Sequence, residues 1–298
     1  MRIVLLGSSD MLYNMIEGVR NSGAEIVGVM NWKNITKKTL RDCLTTDFTQ
    51  KHIKELKLPQ INAKSANSKE FKTTLLNLDV DVLLVGTWGE KIKKEIFDIP
   101  KIASINIHPS LLPKYRGPNP YSRAIMFGEE KTGITFHLIN EKFDAGAILL
   151  QKEVNIYKTD NSLTLKQRLC KEISSMSCLL IKKLNSEIIQ TIKQDENLAS
   201  YYSHVTPNEI VVEPHLLSFD EIHNKIRGLA PHQSTYLLYK DEYFKIYDYN
   251  EVKTYIKRSG SNLCLKTKDN KFIYFKNLRA LGPIKRYFTS TILNLLHK

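Results

Sequence analysis

The amino-acid sequence predicts an α/β protein in which a doubly wound, mostly parallel sheet is followed by a small C-terminal β-barrel-like domain. The chain opens as strand, helix and strand up to Met30, the order in which such sheets begin. Two strand-length runs, Val80–Trp88 and Lys101–His108, are typical of strands buried inside a parallel sheet. Beyond Thr235, apolar and polar residues alternate between Asp, Gly and Asn turns, which indicates short antiparallel strands.

The first strand–helix–strand unit has a tight turn where nucleotide-binding proteins carry a glycine-rich loop. Met1–Gly7 and Glu25–Met30 are the predicted strands, and the helix between them has apolar residues at helical spacing from Leu12 to Val19. The turn Gly7–Asp10 lacks the G-x-G-x-x-G pattern of a phosphate cradle. Its small polar residues are instead suited to capping the helix that follows.

The remaining elements of the predicted sheet follow a polar stretch. Trp32–Gln60 is Lys-rich with a weak helical pattern, and we predict a surface excursion there. Gly133–Ile139 and Ala147–Val154 complete the strands, the second of them along the sheet edge. Leu163–Ile192 is then predicted as one long amphipathic helix.

The character of the chain changes near residue 200. The predicted boundaries are a catalytic domain at 1–200, a polar linker at 201–214 and a small β-rich, OB-like domain at 215–298. The last of these opens with a helix that has Ser218 as its N-cap, Glu221 as capping-box partner and Gly228 as its stop.

Composition narrows the class of protein. No stretch of the 298 residues approaches the roughly 18 consecutive apolar residues of a membrane helix, and Met1–Gly7 is too short for a signal peptide. We therefore expect no membrane association and a cytoplasmic location. Four cysteines, without metal-type spacing, predict neither a zinc site nor a disulfide. They are Cys43, Cys170, Cys178 and Cys264.

The net charge of +13 is concentrated toward the C-terminal end. Glu251–Lys298 holds eleven Lys or Arg residues against two acidic ones. Such a segment could follow an RNA backbone. A solvated basic surface is the simpler interpretation and is favoured here, because Lys dominates over Arg and the charges are dispersed among strand-like segments.

Asn106, His108 and Asp144 are the residues with which the chain could perform chemistry. Asn106 and His108 leave one predicted strand on the same face, and Asp144 lies in the turn after the next. We expect reactive groups to gather at the carboxyl ends of such strands. An amide donor, an imidazole and a carboxylate suit acyl transfer to an amine.

A structural interpretation competes with this one. Taken singly, Asn106 and His108 are more simply a hydrogen-bonded core pair, and Asp144 an ordinary turn acid. The proline-containing loop Ser110–Gly117, rigid and exposed beside the pair, favours a reaction centre for the combination. His137 shares a strand face with Thr135, and a structural role is the favoured interpretation for it.

Three motifs give the chain a family resemblance. N-I-H-P-S-L-L-P-K-Y-R-G at 106–117, T-G-I-T-F-H at 132–137 and F-D-A-G-A-I-L at 143–149 resemble the folate-dependent formyltransferases. This family includes methionyl-tRNA formyltransferase, sugar-nucleotide N-formyltransferases and glycinamide ribonucleotide formyltransferase. The resemblance is dense over Val80–Val154, thinner before it, and resumes with E-I-H-N-K-I-R-G-L-A-P at 221–231. It implies the Rossmann-like fold of that family.

The resemblance also implies a site. Asn106, His108 and Asp144 would form the catalytic triad, and N10-formyltetrahydrofolate would be the formyl donor. The donor pocket implied in this way comprises Trp88, Gly89, Glu90, Lys91, Ile92, Ser110, Leu111, Leu112, Pro113, Ile139, Asn140, Glu141, Lys142 and Phe143. The acceptor side would comprise Ser8, Ser9, Asp10, Lys114, Tyr115 and Arg116.

The acceptor-side residues have ordinary alternatives. Lys114 and Arg116 would meet a phosphate of the acceptor, or they are two solvated charges on a turn. Tyr115 would stack on a base or sugar ring, or it packs the loop.

Departures from the family pattern favour a sugar nucleotide over a tRNA as the acceptor. The tRNA branch usually carries Pro-x-Phe where this chain has Asp10 and Met11, and N-P-W-P where it has residues 229–232, L-A-P-H. The branch's basic insertion is reduced to Lys37, Lys38 and Arg41 without a Gly-Arg run. An amino-deoxysugar nucleotide is therefore the favoured acceptor, and initiator Met-tRNA is the alternative.

Other functions and a homodimer stay open at this stage. The intact triad opposes a non-catalytic binding protein that kept the fold. Hydrolysis of the formyl-folate is disfavoured because the additional domain suggests a large acceptor.

Overall fold

The structure is a computed structural model that describes residues 1–34, 47–186, 190–254 and 259–281. The chain forms two compact units. The first contains residues 1–117, 132–155 and 166–201, and the second contains residues 118–131, 156–165 and 202–298, each within the described ranges. The boundaries predicted from the sequence, at residues 200 and 214, concern parts of the chain that fold independently. Those boundaries stay predictions.

A six-stranded sheet in the order β2-β1-β3-β4-β5-β6 organises the first unit. Its strands are β1 Arg2–Gly7, β2 Glu25–Asn31, β3 Val82–Gly86, β4 Ala103–His108, β5 Lys131–Leu138 and β6 Ile148–Asn155. The first four are parallel to one another, whereas β5 is antiparallel to β4. The predicted mostly parallel sheet is therefore confirmed, and so is the edge position of the last strand.

The α-helices that the described residues form are mostly short. They are α1 Ser9–Ser22, α2 Phe48–Glu55, α3 Lys69–Asn77, α4 Lys94–Phe97, α5 Pro120–Met126, α6 Ser162–Ser186 and α7 Phe219–Leu229. The first helix follows its sequence pattern: its apolar positions are buried, and Gly23 ends it in the left-handed conformation with φ 80°. Ser8 is its N-cap, but the side chain makes no capping hydrogen bond.

Two predictions about helices were wrong. Trp32–Gln60 is not a plain surface excursion, because it contains α2, whose Ile53 is 1% exposed. This helix was missed because only Thr49 and Ile53 face inward, too few to give a clear period. The predicted helix Leu163–Ile192 is described as helical over Ser162–Ser186, and Ile192 is instead bridged to Ile148 in strand β6. Lys37, Lys38, Arg41 and Cys43 lie outside the described residues.

The core of the first unit lies on both faces of the sheet. Ile3, Val4, Leu5 and Leu6 of β1 are all fully buried, which explains why the middle of this strand is an unbroken apolar run. One cluster of core residues joins alternate positions of β1 and β3 to Phe71 and Leu75 of α3. The sheet is therefore a rigid platform, and its strand ends are fixed in space.

The second unit contains two small antiparallel-rich sheets. Their strands are β7 Val211–Val212, β8 Tyr236–Tyr239, β9 Glu242–Lys245, β10 Asp248–Val252, β11 Leu263–Lys266, β12 Phe272–Lys276 and β13 Arg279–Ala280. They are ordered β13-β9-β8-β7 and β10-β12-β11. The predicted small β domain is confirmed as a fold. Residues 282–298, the last part of the basic segment, lie outside the described residues.

Helix α7 begins as predicted and ends differently. Ser218 and Glu221 form the capping box. Gly228 is not the stop, because the helix continues to Leu229. A side chain at Gly228 would lie 2.7 Å from Met126 and 3.0 Å from the carbonyl of Ser122, so this glycine permits close packing of α7 on α5. Among the described helices, none is long and apolar enough to cross a membrane.

Candidate active site

Strands β4 and β5 bring four polar side chains to one face of the sheet. Asn106 pairs with His137, and His108 pairs with Thr135, in the antiparallel register of these strands. Residues directly opposite each other in such a pair share a face. His137 therefore belongs to the site, although the sequence favoured a purely structural role for it.

Asp144 reaches this group by a route that differs from the prediction. Because β5 is antiparallel to β4, Asp144 does not follow the carboxyl end of a parallel strand. The turn after β5 instead carries it back over the sheet, where its Oδ1 lies 3.3 Å from Asn106 Nδ2 and 3.6 Å from His108 Nδ1. The three residues predicted as a triad therefore meet at one carboxylate oxygen.

His108 is held with one ring nitrogen turned toward Asp144. Its Nε2 lies 2.8 Å from the carbonyl oxygen of Tyr115 and must carry a hydrogen there, because a carbonyl only accepts. In the neutral ring Nδ1 is then the basic atom. Burial lowers the pKa of His108 below its ordinary value, although the charge of Asp144 and the Tyr115 carbonyl act in the opposite direction. The imidazole is therefore mainly neutral near pH 7.

Asn106 is held between His137 and Asp144. His137 Nδ1 lies 2.8 Å from the carbonyl of Leu138, so in the neutral ring Nε2 accepts a hydrogen bond from Asn106 Nδ2 at 3.1 Å. The second amide hydrogen faces Asp144. Donation by Asn106 to a substrate therefore requires exchange of the long Asp144 contact. The amide oxygen of Asn106 does not face these two groups.

Asp144 is ionised over the physiological range. Burial raises its pKa, but this is outweighed by the charge of His108, by His137 and by the backbone N–H of Gly117, which together lower the pKa to about 2. The Gly117 N–H donates to Oδ2 at 2.9 Å. The site thus contains a fixed negative charge next to an imidazole, a combination suited to moving a proton.

Loops around the site contain residues with left-handed backbone. Ser9 after β1, Thr87 after β3, Tyr115 after β4 and Asp144 after β5 all have φ between 52° and 61°. None is glycine, so each costs conformational energy that the surrounding contacts must offset. Two of these four residues take part in the site itself, since Asp144 belongs to the triad and the carbonyl of Tyr115 holds His108.

Some residues of the predicted donor pocket offer aromatic surface, and others hold the neighbouring loop in place. Trp88 packs edge-on against Trp32, with ring centroids 4.7 Å apart, and its indole Nε1 is buried without a hydrogen-bond partner among the described residues. Phe143 is 53% exposed beneath Lys91 Nζ. Glu90, in contrast, accepts hydrogen bonds from Ser65 and from the backbone of Ala66, so it braces the loop.

The predicted acceptor-side residues are placed differently from one another. Lys114 is exposed, whereas Tyr115 and Arg116 are both 8% exposed. The Arg116 guanidinium donates to Gln194 and to Glu196, which is at odds with a phosphate contact. Tyr115 packs within the loop, the alternative considered for it.

The residues of the acceptor-side turn after β1, and the remaining residues of the predicted donor pocket, differ in burial and in hydrogen bonding. Ser8 is buried, Asp10 is exposed, and Asn140 accepts a hydrogen bond from the backbone of Lys142. Ile92 is buried beside the core, and Leu112 donates its N–H to Thr135. Among the described residues, no group of three or more His, Cys, Asp or Glu side chains could hold a metal ion.

The effect of the Asp144 charge on the pKa of His108 can be tested by titration. We expect the His108 imidazole to titrate below the ordinary value of 6.5, and Asp144→Asn to lower its midpoint further, because a favourable charge is removed. Imidazole NMR measures this, with a His108→Gln variant to assign the signal. A wild-type midpoint above 6.5, or an increase in Asp144→Asn, contradicts the electrostatics described above.

Comparison with known proteins identifies the family of this chain. The family model described as formyl transferase matches residues 1–179. The methionyl-tRNA formyltransferase of Kosmotoga olearia is 32% identical over 234 residues, 78% of this chain and 74% of that protein. These two matches show the family to which the chain belongs.

Two solved structures share the fold. WlaRD, a sugar 3N-formyl transferase crystallised with dTDP and 5-N-formyl-THF, has a TM-score of 0.64 at 18% identity and covers 95% of this chain and 98% of its own. HypX from Aquifex aeolicus, in complex with tetrahydrofolic acid, has a TM-score of 0.62 at 14% identity. It covers 95% of this chain, which spans only 44% of HypX. With a family model over residues 1–179 and a curated relative above 30% identity, this chain belongs to the folate-dependent formyltransferase family.

Proposed function

We propose that this formyltransferase moves a formyl group from N10-formyltetrahydrofolate to the primary amine of an amino-deoxysugar nucleotide. The observation that carries the proposal is that the Asn106 amide and the His108 imidazole both lie against Oδ1 of Asp144. These three groups supply an amide, a base and a fixed charge, which are what transfer of a formyl group between nitrogens requires.

The donor site is proposed next to the triad. Trp88 offers an indole N–H that has no partner within the described part of the chain, and Phe143 offers exposed apolar surface, both of which suit a planar pterin with polar edges. The folate compounds bound to WlaRD and HypX support the same class of donor. Residues 139–143 and 110–113 are proposed to complete the walls.

The first chemical step is attack of the unprotonated amine on the formyl carbon. A C–N bond forms, and the formyl oxygen takes the electron pair of the carbonyl π bond. We assign Asn106 to this oxyanion, with an N–H that exchanges its 3.3 Å contact with Asp144 for the substrate oxygen. One preorganised donor of this kind contributes about 3 kcal/mol to transition-state stabilisation.

The second step moves a proton and breaks the bond to folate. The attacking nitrogen loses a proton, N10 gains one, and the C–N10 bond breaks as the carbonyl re-forms. His108 Nδ1, basic in the neutral ring, is assigned to carry this proton, and Asp144 stabilises the imidazolium that results. The free amide product and tetrahydrofolate then leave.

The acceptor class is proposed from the loop after β4 and from the positions at which the sequence departs from the tRNA branch of the family. Asp10 and Met11 stand where the tRNA branch carries Pro-x-Phe, and exposed Lys114 lies in the loop after β4, where it can meet an acceptor phosphate. The sugar-directed activity of WlaRD supports this class. Met-tRNA is the second candidate, favoured by the 32% identity to the Kosmotoga olearia enzyme.

Formyl transfer to both acceptor classes separates these candidates. Radiolabelled N10-formyltetrahydrofolate is incubated with the full chain and either initiator Met-tRNA or a panel of amino-deoxysugar nucleotides, and the labelled product is isolated. We expect label in a sugar nucleotide, with kcat/KM at least about 100-fold above that for Met-tRNA. The opposite ratio transfers the assignment to Met-tRNA, and a steep loss of tRNA affinity with salt would accompany it.

A further inference from the structure

The segment at residues 190–201, which follows α6, lies against two loops of the active site. Ile192 exchanges backbone hydrogen bonds with Ile148 at 2.8 and 2.9 Å. Ser200 accepts from the backbone of Arg116 at 2.8 Å and from that of Tyr115, through its hydroxyl, at 2.9 Å. We call residues 190–201 the bracing segment, since it contacts both the loop after β4 and the strand after the Asp144 turn.

Gln194 is the central residue of the bracing segment. Its Nε2 donates to the carbonyls of Asp144 and Gly146, at 2.8 and 2.7 Å. Its Oε1 accepts from Arg116 Nη2 and Nε, at 2.8 and 3.2 Å. Both hydrogens and both lone pairs of the amide are therefore used, and the side chain is 5% exposed. The amide orientation is fixed, because a flipped group would face carbonyls with its oxygen.

Arg116 supports Gln194 from the other side. Its guanidinium also forms a two-contact ion pair with Glu196, at 2.9 and 3.0 Å. The Arg116 side chain is 9% exposed and that of Glu196 is 61% exposed, so the pair closes the network toward solvent. Glu196 thereby neutralises a buried cation that would otherwise be costly.

The turn that Gln194 holds has a demanding conformation. Asp144 has φ 52°, and a Cβ at Gly146 would overlap the carbonyl oxygen of Leu138. A turn of this kind persists only when its carbonyls are held from outside. The two bonds from Gln194 hold the carbonyls on either side of Ala145, while Gly117 holds the carboxylate itself.

We propose that Gln194, backed by Arg116, is a positioning residue that fixes the Asp144 carboxylate against His108 during formyl transfer. This inference deepens the proposed function and rests on it. Gln194 lies beyond residues 1–179, the range that the family model matches, and in no motif of the sequence. It does not touch the reacting atoms.

The test replaces Gln194 with methionine, which keeps the length and removes all four hydrogen bonds. We expect kcat to fall about 10- to 100-fold with the donor KM within about twofold, because a carboxylate displaced by about 1 Å acts less well on the imidazole. The His108 midpoint in imidazole NMR should also fall, since Asp144 and His137 are the titratable groups facing that ring and the favourable charge of Asp144 moves away. Gln167→Met, on the exposed side of α6, is the control and should behave as wild type.

A structural role alone gives different results. If Gln194→Met lowers Tm but leaves both kcat below Tm and the His108 midpoint unchanged, the proposal is overturned. Should this variant fail to fold, Gln194→Glu keeps the Arg116 contact and places a carboxylate oxygen against the two carbonyls, and the same two readouts apply. The NMR midpoint needs no acceptor, so its response separates failure of this proposal from failure of the proposed function.

Discussion

Replacing Asp144 with asparagine is expected to lower kcat for formyl transfer about 100- to 10,000-fold and to leave the Kd of the folate donor within about twofold. The reason is that the variant keeps the size of the group but not its charge. Asparagine can still accept the Gly117 N–H, yet its amide hydrogens then face Asn106 Nδ2, which is itself a donor. The imidazolium formed from His108 also loses its counter-charge.

Asp79→Asn is the matched control for this prediction. Asp79 has φ 51°, close to the 52° of Asp144, but its exposed carboxylate pairs only with Lys101 on the described surface. The backbone effect of the substitution is therefore the same, and turnover should stay at the wild-type level. Rapid-quench measurement of the first turnover, together with donor binding by calorimetry, gives both quantities. Equal first-turnover rates in Asp144→Asn and wild type would remove Asp144 from the mechanism.

Gly146→Ala is expected to lower the free energy of unfolding by about 3 kcal/mol and to abolish most of the turnover. The added Cβ would overlap the carbonyl oxygen of Leu138, a backbone atom at the end of β5 that cannot rotate away. The turn must then move off the sheet, and it takes the Asp144 carbonyl and the Gln194 contacts with it.

Gly23→Ala is the control that distinguishes the effect of steric overlap from the effect of backbone strain. Gly23 has φ 80°, and a Cβ there meets no atom within 4 Å. This control should cost only about 1 kcal/mol, the usual penalty of the left-handed conformation, and should keep its turnover. Thermal and urea unfolding measure both variants. A Gly146→Ala protein as stable and active as Gly23→Ala would show that the turn has room that the structure does not indicate.

Much of the fold follows from patterns that are local in sequence. Strands β1 and β3 contain unbroken apolar runs because both faces of the sheet are covered there, and the capping box of α7 needs only Ser218 and Glu221. The motif residues Asn106 and His108 are two apart on one strand, so their common face could be predicted from strand geometry alone.

The remaining features depend on contacts between distant parts of the chain. The apolar pattern of β5 does not encode its direction, so its antiparallel pairing with β4, which makes His137 the partner of Asn106, could not be predicted. Gln194 is a single amide in a polar stretch. It is 50 residues from Asp144 and 78 from Arg116, and only the folded chain brings them together.

The structure of the chain with 5-formyltetrahydrofolate bound, determined by crystallography, tests the proposed reaction centre most directly. We predict the formyl carbon within about 3–4 Å of His108 Nδ1 and of the Asn106 amide, with the pterin against Trp88 and residues 139–143. A formyl group bound on another part of the surface, or held about 8 Å or more from both side chains, contradicts the assignment of these residues to formyl transfer.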